Sequence, residues 1–198
     1  MNATIAPVLG LLLVSFVTPG PNNFVVMSAA MRGGTRQAVP IMAGIIGGTI
    51  TLYVLACTGL AQLPGQHRVA ANLLLLAGVS YLCFLGVRMM VANAVIAQDV
   101  QAASDPSVIG MALFQCLNPK SLLLAGTVAM TTTDSIEMRS LVAVLMATVA
   151  AICLSMWAIA GSSLSCWLMT PVRRRVFDIG MGILLVGSAT SLLVSGWK

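Results

Sequence analysis

Thr18-Pro19-Gly20-Pro21-Asn22-Asn23 lies inside an apolar run, Ile5 to Met31, that is long enough to cross a membrane. Each proline lacks a backbone donor, and its ring clashes with the carbonyl four residues back. A helix through this run must therefore break near its centre. In lipid, broken backbone survives only where protein or a water-filled cavity satisfies it. Breaks of this kind near mid-membrane build substrate sites in many transporters.

The rest of the composition agrees with a membrane setting. Hydrophobic residues make up 59% of the chain and charged residues 8%. An ordinary soluble domain carries about 25% charged residues. The chain reads as one polytopic membrane domain over residues 1–198. Six candidate spans follow: Ile5–Met31, Pro40–Ala61, Val69–Val91, Val108–Met130, Leu141–Leu164 and Val176–Val194. Each approaches or exceeds the ~20 residues that cross the hydrocarbon core. Pro40 is placed in the first turn of its helix, where a missing donor costs nothing. The first run lacks a basic leader and a small-residue cleavage site, so it reads as a retained span.

Arginine placement orients the spans. The first, third and fifth loops and their flanks hold Arg32, Arg36, Arg88, Arg173, Arg174 and Arg175; the opposite side holds Arg68, Arg139 and Lys198. Positive residues favour the cytoplasmic side. Both termini are therefore expected outside the cytoplasm. The net charge of +5 is a topology signal, since no basic run is interleaved with aromatics as nucleic-acid binding would need. The five cysteines form no CxxC pair and read as small buried hydrophobes, with no metal or redox framework. Gly44 and Gly48 on the second span, and Gly182 and Gly187 on the sixth, are expected to let helices approach closely.

The fourth span holds a second interruption, Phe114-Gln115-Cys116-Leu117-Asn118-Pro119-Lys120-Ser121. Pro119 frees the Gln115 carbonyl. Lys120 lies about twelve residues, or roughly 18 Å, into its span. An intramembrane charge is expensive and faces the bundle interior or a cavity. Aligning Phe16 with Phe114 also aligns Pro21 with Pro119 and Asn22 with Lys120. Three spans per half give the halves opposite orientation, so an all-α, six-span, 3+3 inverted repeat with broken first and fourth helices is expected. A half-helix restarts after Pro21, capped by Asn22 or Asn23. Its free N–H groups suit a carboxylate. The freed carbonyls of Ser15, Val17 and Gln115 suit an ammonium. The alternative for these residues is a kinked structural helix whose polar groups cap one another.

These residues resemble the LysE/RhtB family of bacterial amino-acid exporters. Thr18-Pro19-Gly20-Pro21-Asn22-Asn23 looks like that family's TPGPN signature, and Phe114 with Asn118-Pro119-Lys120 looks like its NPK signature. Ala77-Gly78, Tyr81-Leu82 and Leu85-Gly86-Val87-Arg88 resemble its third span. The resemblance implies an inner-membrane exporter of amino acids or close derivatives, driven by protons, acting at Thr18, Pro19, Gly20, Pro21, Asn22, Asn118, Pro119 and Lys120. Asn23 and Gln115 join this set as neighbouring polar groups at the breaks. No acid lies at mid-membrane, which favours a neutral or sulfur-containing amino acid. No cofactor and no nucleic acid is implied, and a homo-oligomer is compatible with the glycine-rich spans.

Other classes fit less well. A membrane enzyme needs paired carboxylates, a histidine cluster or a nucleophile elbow, and the one histidine, His67, lies in a loop. A non-transporting assembly subunit would not need polar breaks at matching depth in both halves. No P-loop pattern supports an ATP-driven pump.

Overall fold

The fold comes from a computed structural model, which describes residues 2–58, 107–132, 135–167 and 170–196, with scattered positions between 76 and 91. Most of the third expected span, the loops around it and His67 lie outside the described residues. The described residues form helices and no strand.

The first span is two helices, α1 (Asn2–Val17) and α2 (Pro21–Gly33), bent by 50° at the TPGPNN break. Gly34 then turns the chain in one residue, with φ of 75° and its N–H on the Ala30 carbonyl at 2.9 Å. Only glycine adopts that backbone without strain. Helix α3 (Thr35–Cys57) follows at once. It starts before the expected Pro40, so Pro40 is interior to the helix rather than in its first turn. The one-residue turn leaves no loop, and the helix begins as soon as the chain has reversed.

The fourth span is α4 (Val108–Leu117) and α5 (Pro119–Thr131), bent by 76° at Asn118. Ser107 caps α4, accepting from the Gly110 N–H at 2.9 Å. Helices α6 (Ile136–Trp167) and α7 (Pro171–Gly196) complete the chain. They contain the fifth and sixth expected spans and leave a shorter connection than the expected break at Ser165–Arg175, because α6 continues through Trp167 and the basic turn Pro171–Arg175 already opens α7. Both α3 and α6 are long and apolar enough to cross a membrane, as are the two bent pairs if each is one span.

Packing fixes the directions. Leu52 and Tyr53, late in α3, cluster with Met138, Val142 and Met146, early in α6. Ala38 and Ile41, early in α3, cluster with Leu154 and Ala158, late in α6. These two helices are therefore antiparallel. Along α4 the partners of α3 rise together: a Cβ on Gly44 would strike the Val108 carbonyl and Met111, and one on Gly48 would stand 2.6 Å from the Ala112 carbonyl. So α3 and α4 are parallel, with backbones in direct contact, as small residues allow in lipid. Gly182 likewise meets the Gly86 carbonyl, at 2.6 Å from a built Cβ. Gly187 shows no such contact, since no described residue lies within 4 Å of its Cβ position. A further close approach, missed in the sequence, brings Gly161 of α6 against Met27 of α2.

The outer faces are apolar. Ile109, Leu113, Met130, Val144, Ile152, Met156 and Val194 are all exposed. A continuous apolar exterior of this kind fits lipid and not water. The protein is an all-α, multi-pass membrane protein.

Candidate functional site

At the first break, α1 closes with the Thr18 N–H on the Val14 carbonyl at 3.0 Å and the Thr18 hydroxyl on the same oxygen at 2.6 Å. Gly20 is extended (φ −165°, ψ 177°) and is the N-cap of α2, with Pro21 in the first turn. A glycine cap has no side chain, so α2 begins without a side-chain acceptor for its first N–H groups. The expected capping by Asn22 or Asn23 is not found. Both side chains already lie inside the helix and point away from its own first turn. Asn23 Nδ2 instead donates to the Phe16 carbonyl at 3.0 Å and the Thr18 carbonyl at 2.8 Å. It thereby satisfies carbonyls that the break leaves without helical donors.

The second break is shorter and self-capped. Asn118 Oδ1 accepts the Lys120 N–H at 3.2 Å, an N-cap in the usual sense. The Asn118 N–H donates to the Gln115 carbonyl at 3.2 Å. That carbonyl is the one Pro119 frees, so it is not an open acceptor for a cation as expected.

Between the breaks lies a buried amide cluster. Asn22 Nδ2 donates to Gln115 Oε1 at 2.9 Å and to Ser121 Oγ at 3.4 Å. Asn22 Oδ1 accepts from Gln115 Nε2 at 3.2 Å and Asn118 Nδ2 at 3.1 Å. Gln115 Nε2 also donates to the Met111 carbonyl at 3.0 Å, and Ser121 Oγ donates to Gln115 Oε1 at 2.7 Å. A primary amide offers two donors and two acceptor positions. Asn22 and Gln115 therefore use all of theirs on each other and on their neighbours. Gln115 is 0% exposed, and Gly48 makes room for it: a Cβ there would stand 2.7 Å from its Cγ.

A second set of contacts carries the charge. Lys120 Nζ reaches from α5 across to the first break and donates to the Thr18 carbonyl at 2.9 Å and the Thr18 hydroxyl at 2.8 Å. Gly20 lies beneath this arm, its Cβ position 3.3 Å from Nζ. The Lys120 ammonium and the Asn22 amide face a shared cavity of about 10 Å³, lined also by Ser15, Phe16 and Leu124. That is room for about one water molecule. An amino acid does not fit in that volume. Among the described residues, no acidic side chain lines the cavity.

Two interrupted helices that clasp each other through neutral amides and one lysine are a transporter's architecture, and comparison with known proteins agrees. The family model for LysE type translocators matches residues 13–196. The chain belongs to that family. Proteins named cysteine/O-acetylserine efflux protein from Escherichia coli strain K12 and Shigella sonnei are each 30% identical over 155 residues, 75% of this chain and 77% of theirs. The protein of that name from Escherichia coli O1:K1 is 29% identical over the same length. No solved structure matches. A LysE type translocator is a transporter and not an enzyme.

In this translocator, six of the ten residues singled out from the sequence are joined by side-chain hydrogen bonds: Thr18, Asn22, Asn23, Gln115, Asn118 and Lys120. Pro21 and Pro119 open the two half-helices. Gly20 gives the lysine arm its space, and Pro19 lies in the extended link without lining the cavity. Ser121 was missed as a site residue, although it is buried and tied to both amides. Its spacing of three from Asn118 puts both on one helical face, and that signal was in the sequence. Ser15, which lines the cavity, carried no such signal.

Proposed function

We propose that this chain exports small amino acids or close derivatives from the cytoplasm across the bacterial inner membrane, driven by the proton gradient. One observation carries the reading: among the described residues, Lys120, the charge at the paired breaks, meets the two neutral oxygens of Thr18. A half-buried ammonium gains more from an anion than from neutral oxygens, because only the anion adds a full opposite charge. The carboxylate of an amino acid supplies that anion. The uncapped start of α2 adds N–H groups of partial positive charge nearby. A second cation on the substrate would meet no acid among the described residues that line the cavity. This favours neutral or sulfur-containing substrates over lysine or arginine. The efflux of cysteine and O-acetylserine, named for the relatives, lies within that class.

The spans are arranged as a 3+3 inverted repeat of six, with both termini outside the cytoplasm. Support comes from the two broken spans, whose helices pack in antiparallel sense: Val8, Leu12 and Phe16 of α1 share a cluster with Leu124 and Val128 of α5. Arg32, Arg36, Arg173 and Arg175 lie at the α2–α3 and α6–α7 connections, as the positive-inside rule requires. Thr18, Pro19, Gly20, Pro21, Asn22, Asn23, Gln115, Asn118, Pro119 and Lys120 form the transport site.

The test is transport into everted vesicles against a panel holding cysteine, O-acetylserine, threonine, homoserine, lysine and arginine, with and without a protonophore. Uptake of the neutral members, abolished by the protonophore, is the expected result. Uptake of none of the panel would overturn the reading.

A further inference from the structure

We propose that Thr18 is a resident stand-in for the substrate's carboxylate: it holds Lys120 while the site is empty and gives it up when a carboxylate arrives. The inference rests on the exporter reading above and names the exchange by which that site would open. Thr18 presents two oxygens to one ammonium, its carbonyl at 2.9 Å and its hydroxyl at 2.8 Å. Two oxygens on one carbon framework, both within hydrogen-bond reach of Nζ, imitate a carboxylate in all but charge.

The exchange leaves no polar group stranded on the protein side. When Lys120 departs, the Thr18 carbonyl keeps Asn23 Nδ2 at 2.8 Å, and the Thr18 hydroxyl keeps its own donation to the Val14 carbonyl at 2.6 Å. Thr18 belongs to neither α1 nor α2, so releasing it unwinds no helix. The backbone of Lys120 stays fixed by the Asn118 cap, and only the side-chain arm has to swing. Gly20 leaves that arm its space. The amide cluster of Asn22, Gln115 and Ser121 does not compete. Asn22 and Gln115 have no donor or acceptor left to offer. The cluster therefore joins the breaks, and the lysine contact is the part that a ligand can exchange. A carboxylate wins because it brings a full negative charge to the ammonium, a Coulomb attraction that the neutral Thr18 oxygens cannot supply.

Two measurements test this, one of them independent of transport. In everted vesicles with O-acetylserine as the probe, Thr18→Val removes one of the two competing oxygens. The expected KM is about tenfold lower, the size of one hydrogen bond to a charged group, and Thr18→Ser restores the wild-type value. A merely structural threonine would give a higher KM or lower kcat on the same substitution. Separately, Ser15→Cys is introduced after replacing the five native cysteines and labelled with a membrane-permeant maleimide. Thr18→Val should speed its labelling by loosening the cover over the cavity. Equal labelling rates with and without Thr18→Val overturn the latch, as does an unchanged or higher KM. If wild-type protein exports no amino acid while Thr18→Val still speeds labelling, the latch stands and the exporter reading falls.

Discussion

A buried primary amide left with an empty hydrogen-bonding position costs about 1–3 kcal/mol. Asn22 and Gln115 avoid that cost by facing each other. Gln115→Leu should therefore lower stability by about 2 kcal/mol, because Asn22 keeps only Ser121 and Asn118. Adding Asn22→Leu should cost less than the sum of the two single losses, since the orphaned partner goes too. Denaturation of the detergent-solubilised variants measures both; strict additivity would mean that the amides act separately. Lys120→Met should abolish export yet insert and fold normally, since Thr18 retains its other partners. Vesicle transport together with a folding readout separates those outcomes. Lys120→Arg keeps the charge and cannot readily deprotonate; full transport by that variant would make the lysine a fixed charge and not a proton carrier.

At the scale of helices, the second residues of the two restarted half-helices behave alike. Asn22 follows Pro21 in α2 and Lys120 follows Pro119 in α5, and each sends its side chain to the opposite break. The sequence placed both breaks correctly, because proline acts on the backbone wherever it stands. It misplaced the cap. Whether an asparagine turns back to its own helix end or across to another helix depends on a neighbour far along the chain, and no local pattern reports that. Glycines divide on the same ground. Gly44 and Gly48 share α3 with an identical-looking Gly47, which has open space around it. Gly48→Ala should therefore cost about 1–3 kcal/mol by overpacking α4. Gly187→Ala should be neutral or stabilising by up to about 1 kcal/mol, from helix propensity alone. Thermal unfolding of the two variants checks the contrast, and equal effects would refute the close α3–α4 contact.

Across the described residues of the molecule, helix positions followed from hydropathy, while helix directions followed from packing that only the structure supplies. The parallel course of α3 and α4 and the antiparallel course of α3 and α6 match an arrangement with the Arg32–Arg36 and Arg173–Arg175 ends on one side. A reporter fused at Lys198 that is active only outside the cytoplasm is the expected outcome; activity confined to the cytoplasm would reverse the orientation. The turn at Gly34 has a mechanical consequence. A single residue joins α2 to α3, and α3 meshes backbone to backbone with α4, so these three helices form one stiff linkage. Helix α5 joins the same linkage, since the Asn118 cap holds the elbow and Leu124, Ala125 and Val128 share a buried cluster with Leu52 and Tyr53 of α3. Paired spin labels should keep their separation between α3 and α4, and between α3 and α5, through the transport cycle.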